Sequence, residues 1–440
     1  MLKRLVIFFV VHIGGGCFGN NIITLPYITN DIQYSKVRDK LYAIVDAMDP
    51  EYGNQLIEIN VLTGAVERSQ FVGSIPALMR LTTDENYAWI SFRGTPYMKR
   101  VDLNSFTVDK EVYLGPSKLY NSPKHVQTTV YAYNFTVMPD QDNQVVMGLK
   151  TPFEFEFEAV SLYKNDTIQP KRMGQYTTLN HPFCLEPISN GAYIIGHYQS
   201  SLNSFYSTLK VVDDGLVYLR EQETPIEGMR RNWFKVHNDT LYTAVGDIFD
   251  ATDTSTLKPL GNCKNDIIGD KYGFAFSEFN QSFVYPNVNN KALNLTFYNK
   301  NSFGAFDSVY LFDYNYYELM LILDLEVIRP NRFALLIGKD YGLFTICIVE
   351  VNPAGIGTVK PENGAEMYPN PVAGKMVIKG LPLHKRIDVY DLAGKLVGSF
   401  EMEGITGEID LGGYRRGTYL VKVTDREGRE NSVVRKIVVK

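Results

Sequence analysis

Val72–Gly115 reads VGSIPALMRLTTDENYAWISFRGTPYMKRVDLNSFTVDKEVYLG. Short runs rich in β-branched, aromatic and long apolar residues alternate here with turn residues, which predicts strands at Ala77–Thr82, Tyr87–Phe92, Met98–Leu103 and Val108–Leu114. Such a unit has two faces to bury and cannot bury both alone. Its hairpin corner, Glu85-Asn86, has counterparts along the chain: Asp39-Lys40, Asn143-Gln144, Asn190-Gly191, Asn238-Asp239, Asn280-Gln281 and Asn331-Arg332. Each precedes a β-rich run (LYAIV, VVMGL, AYIIG, TLYTAV, SFVYP, FALLIG), and successive corners lie 42 to 58 residues apart. Asn, Asp and Gly tolerate the positive φ of tight hairpins. Units of about four strands at this period are the signature of propeller blades. The expected fold class is therefore all-β, with a seven-bladed β-propeller over residues 21–352. The last unit lacks a fourth strand before Asn-Pro-Ala-Gly-Ile-Gly, and the spare apolar stretch Ile22–Tyr27 is expected to supply it and close the ring.

Bulk properties agree. The 440 residues are 45% hydrophobic and 21% charged, with 29 Tyr and 25 Phe but 2 Trp, and the net charge is −5. That balance gives no basic footprint for nucleic acid and no polybasic membrane patch. Met1-Leu2-Lys3-Arg4, the apolar Leu5–Ile13 and Gly14-Gly15-Gly16 follow the plan of a secretory signal over residues 1–18. The apolar part is too short for a spanning helix, and no other stretch is long enough. Cys17 leaves two readings open, lipidation or ordinary cleavage nearby, and Gly14 replaces the aliphatic residue a lipidation signal carries. Cys184, Cys263 and Cys347 are far apart, and either one disulfide or buried free thiols fits them.

Two family resemblances follow from particular residues. Val72–Gly115 resembles the YVTN-type propeller repeat, in its Val-Gly…Pro opening, its Asp-Glu-Asn turn, YAWIS and Val-Asp-Leu-Asn-Ser-Phe. Asn60–Gly64 (NVLTG) echoes it one unit earlier. After the expected linker 353–364, residues 365–440 change character, with short strands and Gly turns that fit a small Ig-like β-sandwich. MYPNPVAGKMVIKG, IDVYDLAGKLV, IDLGGYRRGTYLVKV and the terminal RKIVVK resemble, in order, the motifs of the type A C-terminal sorting domain of type IX secretion substrates. Tyr368, Pro369, Asn370, Pro371, Gly394, Lys395, Gly417, Tyr419, Arg435, Lys436 and Lys440 carry that match. The resemblance implies a Bacteroidota protein that crosses the periplasm and engages the type IX machinery through this domain. It then reaches the cell surface or medium.

Propeller ligands meet one end of the central channel, where the loops joining strands two and three gather. The register places these loops at Asp46–Asn54, Arg93–Tyr97, Thr151–Phe157, Tyr198–Tyr206, Gly246–Asp253, Pro286–Asn290 and Lys339–Gly342. Their candidate binding residues are Tyr52, Arg93, Tyr97, Phe153, Phe155, His197 (at the end of a second strand, either facing the channel or an ordinary hydrogen-bonded or exposed histidine), Tyr198, Phe249 and Tyr341. Inter-blade packing is the competing use of such rings. Asp46, Asp49 and Glu51, and Asp247, Asp250 and Asp253, could hold a structural Ca²⁺ or serve as solvated turns. The six His show no HxxH or HExxH spacing, and there is no GxSxG, SxxK or P-loop. No catalytic residue and no metal ligand is therefore assigned. Two functions stay open: a binding module for protein or glycan, and a propeller enzyme such as a lactonase, glycan lyase or hydrolase.

Overall fold

In the computed structural model the chain divides into two compact units, Met1–Gly355 and Ile356–Lys440. The structure describes residues 21–117, 129–151, 157–174, 184–199, 204–224, 234–244, 246–263, 273–277, 282–289, 292–299, 305–313, 320–329, 331–339, 343–350 and 366–368. Beyond these it describes 372, 374–379, 384–391, 395–403, 406–425 and 432–440. The signal reading and Cys17 lie outside these residues. All the regular elements among them are strands.

The first unit repeats one motif, an antiparallel sheet whose strands pair in chain order. The first sheet holds Thr29–Ser35, Lys40–Val45, Gln55–Asn60 and Val66–Phe71. The second holds Pro76–Leu81, Tyr87–Phe92, Tyr97–Asp102 and Thr107–Tyr113, each within a residue or so of its expected bounds. In the third, Tyr131–Val137, Val145–Lys150 and Phe157–Lys164 are followed by an outer strand split into Thr167–Ile168 and Met173–Gly174. The fourth holds Cys184–Ile188, Tyr193–Gln199, Ser204–Val212 and Gly215–Thr224. The fifth holds Phe234–His237, Thr240–Thr243, Asp247–Asp250 and Lys258–Asn262. The sixth holds Ala275–Ser277, Ser282–Asn289, Ala292–Asn299 and Ala305–Asp313. The seventh holds Met320–Arg329, Arg332–Lys339 and Leu343–Glu350, with Asn21–Leu25 pairing outside the last of these, Leu25 opposite Ile346.

Each sheet packs on the next through its own apolar cluster. Tyr42 and Ile44 meet Met79 and Ile90 between the first and second sheets, and Trp89 and Met98 meet Phe135 and Met147 between the second and third. The series ends where Leu25, Leu336 and Ile348 of the seventh sheet meet Ile32 and Leu41 of the first, so the packing returns to its start. Closure hides apolar faces that a single sheet would expose, which is the main stabilising term available to such units.

The hairpin corners add polar clamps between neighbours. Asp39, Glu85, Asn190, Asn238 and Asp239 all have positive φ. Glu85 Oε2 accepts hydrogen bonds from Ser35 Oγ (2.6 Å) and Val37 N (2.9 Å) of the first sheet's corner. Arg329 Nη2 donates to Asp39 Oδ2 at 2.7 Å, and Ser189 N donates to Asp239 Oδ1 at 2.6 Å. Asp39, Glu85 and Asp239 thus each form the turn and tie it to the preceding sheet.

The second unit forms two sheets. Glu366–Tyr368, Lys375–Lys379 and Thr406–Asp410 make one. Leu396–Glu403, His384–Asp391, Gly417–Asp425 and Ser432–Val439 make the other. Met376, Ile378 and Ile409 from the first sheet pack with Ile387, Val389, Val421, Val423 and Ile437 from the second.

Candidate functional site

First strands of neighbouring sheets touch in a run from the sixth sheet through the seventh, first, second, third and fourth to the fifth, so these strands surround the centre of the ring. Strand alternation gives such strands one polar position among apolar ones, and the ring brings these positions together. Asp31 Oδ2 accepts from Met79 N at 2.8 Å and lies 3.2 Å from Arg80 Nη1. Lys235 Nζ lies 3.2 Å from Asp324 Oδ1. Glu186 and Glu326 share this field. Burial pushes the Glu186 carboxyl up to about 7, against the pull of Arg80 and Lys235. Burial pushes Glu326 to about 8 and Asp31 to about 6, with Lys235 and Arg80 respectively opposing. These six residues come from five sheets. Lys235 keeps 41% of its side-chain surface exposed, so water reaches the cluster although protein surrounds it. Four acids, three with pKa values near neutrality, and two cations make a polar centre able to exchange protons.

The second feature is the end of the ring where strands two and three join. Tyr97 and Tyr113 are 37% and 52% exposed, with ring centroids 5.4 Å apart and planes inclined at 46°. Phe71 and Ile75 are exposed beside them. Ile75 adopts φ 54°, a left-handed conformation that a β-branched residue rarely takes. Asn54 Oδ1 holds it by accepting from Ile75 N at 2.8 Å, and Ile75 O accepts from Arg93 N at 3.0 Å. At the same end of the third sheet, Lys150 Nζ sits 3.7 Å above the centre of the Tyr133 ring. Burial lowers that ammonium to about 8.

The expected site residues separate into several places. Tyr97 and Arg93 are exposed at this end. Tyr52 is half-buried, its ring edge-on to Tyr27 at 5.2 Å. His197 does not face the channel. It is fully buried in the strand Tyr193–Gln199, its ring 5.1 Å from Tyr206, on the face that packs against the fifth sheet. Burial takes its imidazole down to about 3. Phe249 belongs to the same packing, because Asp247–Asp250 is a strand rather than part of a loop. Pro286 likewise lies within a strand, Ser282–Asn289. Tyr198 is placed as backbone in its strand, whereas Phe153, Phe155 and Tyr341 lie outside the described residues. The six central charges were not singled out in the sequence. Their only trace is a polar residue amid apolar ones: Asp31 in NDIQ, Arg80 in LMRL, Glu186 in CLEPI, Lys235 in FKVH, and Asp324 and Glu326 in LDLEV.

The carboxylates considered for Ca²⁺ are engaged in their own loops. Asp49 Oδ1 accepts from Glu51 N (3.0 Å) and Tyr52 N (2.9 Å), and its Oδ2 from Ile28 N (2.9 Å). Asp46 Oδ1 accepts from Met48 N at 2.9 Å. Asp250 and Asp253 bind Thr252 N and Ser255 N at 2.9 and 2.8 Å. Among the described residues no group of three or more His, Cys, Asp or Glu could hold a metal ion. Cys184, Cys263 and Cys347 are buried free thiols, all pushed up by burial, Cys184 to about 12.

In the second unit, Gly417 and Tyr419 begin the strand that pairs with the chain's last strand, Gly417 opposite Val439. Tyr419 Oη donates to Arg415 O at 2.8 Å. Arg435 and Lys436 lie on the last strand, and Lys440 N donates to Val372 O at 2.8 Å. Lys395 is exposed and its N–H donates to Asp391 Oδ1 at 2.9 Å. Tyr368 is placed as backbone at the end of Glu366–Tyr368. Pro369, Asn370, Pro371 and Gly394 lie outside the described residues.

Residues 366–440 match the family model of a secretion system C-terminal sorting domain. No curated protein matches the chain. Among solved structures, the β-propeller domain of Cps50 (Swd1) from Myceliophteria thermophila is similar, with a TM-score of 0.54 at 11% identity over 76% of this chain and 100% of that one. Hydrazine synthase from Kuenenia stuttgartiensis aligns with a TM-score of 0.49 at 10% identity over 74% and 98%. At this identity the first likeness is one of fold. Among the described residues no helix is long and apolar enough to cross a membrane. The chain carries a β-propeller followed by a type IX secretion sorting domain, which marks it for export to the cell surface or the extracellular space.

Proposed function

We propose that this is a secreted or surface-held binding module that captures protein or glycan at the strand two-to-three end of its propeller. In this reading residues 1–18 are a secretory signal in a Bacteroidota host and 21–352 a seven-bladed propeller with YVTN-like repeats. A linker, 353–364, leads to an Ig-like sorting domain over 365–440. One contrast supports binding: the central cations already have carboxylate partners, Arg80 with Asp31 and Lys235 with Asp324, whereas Tyr97, Tyr113, Phe71 and Ile75 are left exposed at the end. Exposed tyrosines beside a cation are the residue types that anchor sugars and protein loops. The test is a glycan array and a surface-protein capture with the secreted chain and its Tyr97→Ala/Tyr113→Ala variant. Binding that falls at least tenfold in the variant is expected. Ligand capture unaffected by the variant would contradict the assignment.

A second reading, an enzyme acting at the channel, is favoured by one observation. Glu186 and Glu326 are held near neutral pKa without a direct ion pair among the described residues. Such carboxyls suit general acid and base roles. Turnover of a captured glycan or lactone, lost in Glu186→Gln, would establish it.

A further inference from the structure

Lys150 is 4% exposed and closes the strand Val145–Lys150 at the binding end. No ion pair or hydrogen bond reaches its ammonium from the described residues, and its partner is the face of Tyr133. A buried charge to which the described residues supply no counter-ion is costly within them, so its retention calls for a compensating partner. Tyr133 sits where the register shifts between Ala132 and Asn134, on the innermost strand, and stays 36% exposed. The ammonium and ring therefore lie together at the strand two-to-three end of the third sheet's inner hairpin, with the ring open to solvent. Tyr131 pairs with Lys150 in the ladder. Burial and then Tyr133 push its hydroxyl up, while the nearby Arg93 guanidinium pulls it down. Two cations and two phenols thus gather at one sector of the mouth, in a chain whose net charge is −5.

We propose that Arg93, Tyr131, Tyr133 and Lys150 form a subsite for the carboxylate of an acidic saccharide, a uronic acid residue. This rests on the reading of this end as the binding face. The carboxylate supplies a counter-charge that the described residues do not give Lys150, and charge-assisted hydrogen bonds to a desolvated ammonium are stronger than those made in open water. The inclined Tyr97 and Tyr113 rings on the neighbouring sheet favour a saccharide over an acidic peptide, because they offer flat apolar faces to pyranose C–H groups.

The experiment is isothermal titration of the secreted full chain with oligogalacturonate and with its methyl ester, in which a methyl group caps each carboxylate and removes its charge. The free acid is expected to bind at least tenfold more tightly. Lys150→Met should remove that preference, leave affinity for the ester within about twofold, and raise the melting temperature by removing the uncompensated charge. Equal binding of acid and ester overturns the subsite while leaving the binding face intact. A Lys150→Met variant that melts lower and keeps the preference also overturns it. Binding of an acidic peptide through Lys150, with neither sugar bound, refutes the saccharide. Failure to bind any glycan or protein removes the binding face as well.

Discussion

Lys235 Nζ lies 3.2 Å from Asp324 Oδ1, although the two residues stand on the first strands of the fifth and seventh sheets, with the sixth between them in the chain. A contact that passes over a sheet crosses the centre of the ring. Lys235→Met should leave Asp324 and Glu326 close together without their cation. Removing one partner of a buried pair typically costs about 3–5 kcal/mol, and the exposure of Lys235 reduces this to roughly 1–2 kcal/mol. Denaturant unfolding measures the loss. Adding Asp324→Asn should recover part of it, and full additivity of the two losses would show that the pair does not interact.

The central carboxyls make stability pH-dependent. Glu186 and Glu326 are raised to about 7 and about 8, so near pH 6 the folded chain holds protons that the unfolded chain has released. Their contribution is therefore undiminished below the unfolded value of about 4.3 and declines as pH rises toward 8. Lys150, lowered to about 8, carries its burial penalty whole below that pH and is relieved of it only as pH rises further, and His197, lowered to about 3, weakens the fold as pH falls below about 6.5. Glu326→Gln should accordingly stabilise by on the order of 2 kcal/mol at pH 8.5 and by nothing measurable at pH 4.5. Equal effects at both pH values in calorimetry would contradict the raised carboxyl.

Ring closure depends on a short strand. Asn21–Leu25 covers the edge Leu343–Glu350, and Leu25 is 4% exposed between the seventh and first sheets. Leu25→Ala should cost about 2–4 kcal/mol. A chain beginning at Thr29 should expose that edge and associate, seen as concentration-dependent sedimentation. A monomeric truncation of unchanged stability would rule out closure by this strand.

Ile75 holds φ 54° with a β-branched side chain exposed at the mouth. Ile75→Asn should relieve steric strain of about 1 kcal/mol and raise the melting temperature. If the strain serves to present this side chain, ligand affinity should fall in the same variant. A lower melting temperature would show that the surrounding bonds, not the residue type, set the conformation.

The repeating β pattern was legible because hairpin corners are local. Positive φ at Asp39, Glu85, Asn190, Asn238 and Asp239 follows from residues tolerant of it, and the second sheet's strands fall where alternation put them. The sorting motifs were legible because they form one contiguous stretch. The central charges were not, since Asp31 and Asp324 meet through the closure of the whole ring. A lone acid in a strand looks the same whether it faces solvent or a channel. His197 packs away from the channel because residues two apart share a strand face and Ile195 points into the packing between the fourth and fifth sheets. Phe249 is buried because Asp247–Asp250 forms a strand, and a run of only four residues carries too little alternation to tell it from a loop in the sequence.

Export is the property on which encounter with any extracellular ligand depends, and the last strand, Ser432–Val439, completes the sorting domain's larger sheet. The most direct measurement is protease access on intact type IX-competent cells, comparing the full chain with one ending at Asn431. Surface cleavage or release of the full chain, with the truncated chain protected in the periplasm, is the predicted result. A truncated chain that reaches the surface as efficiently as the full one would contradict it.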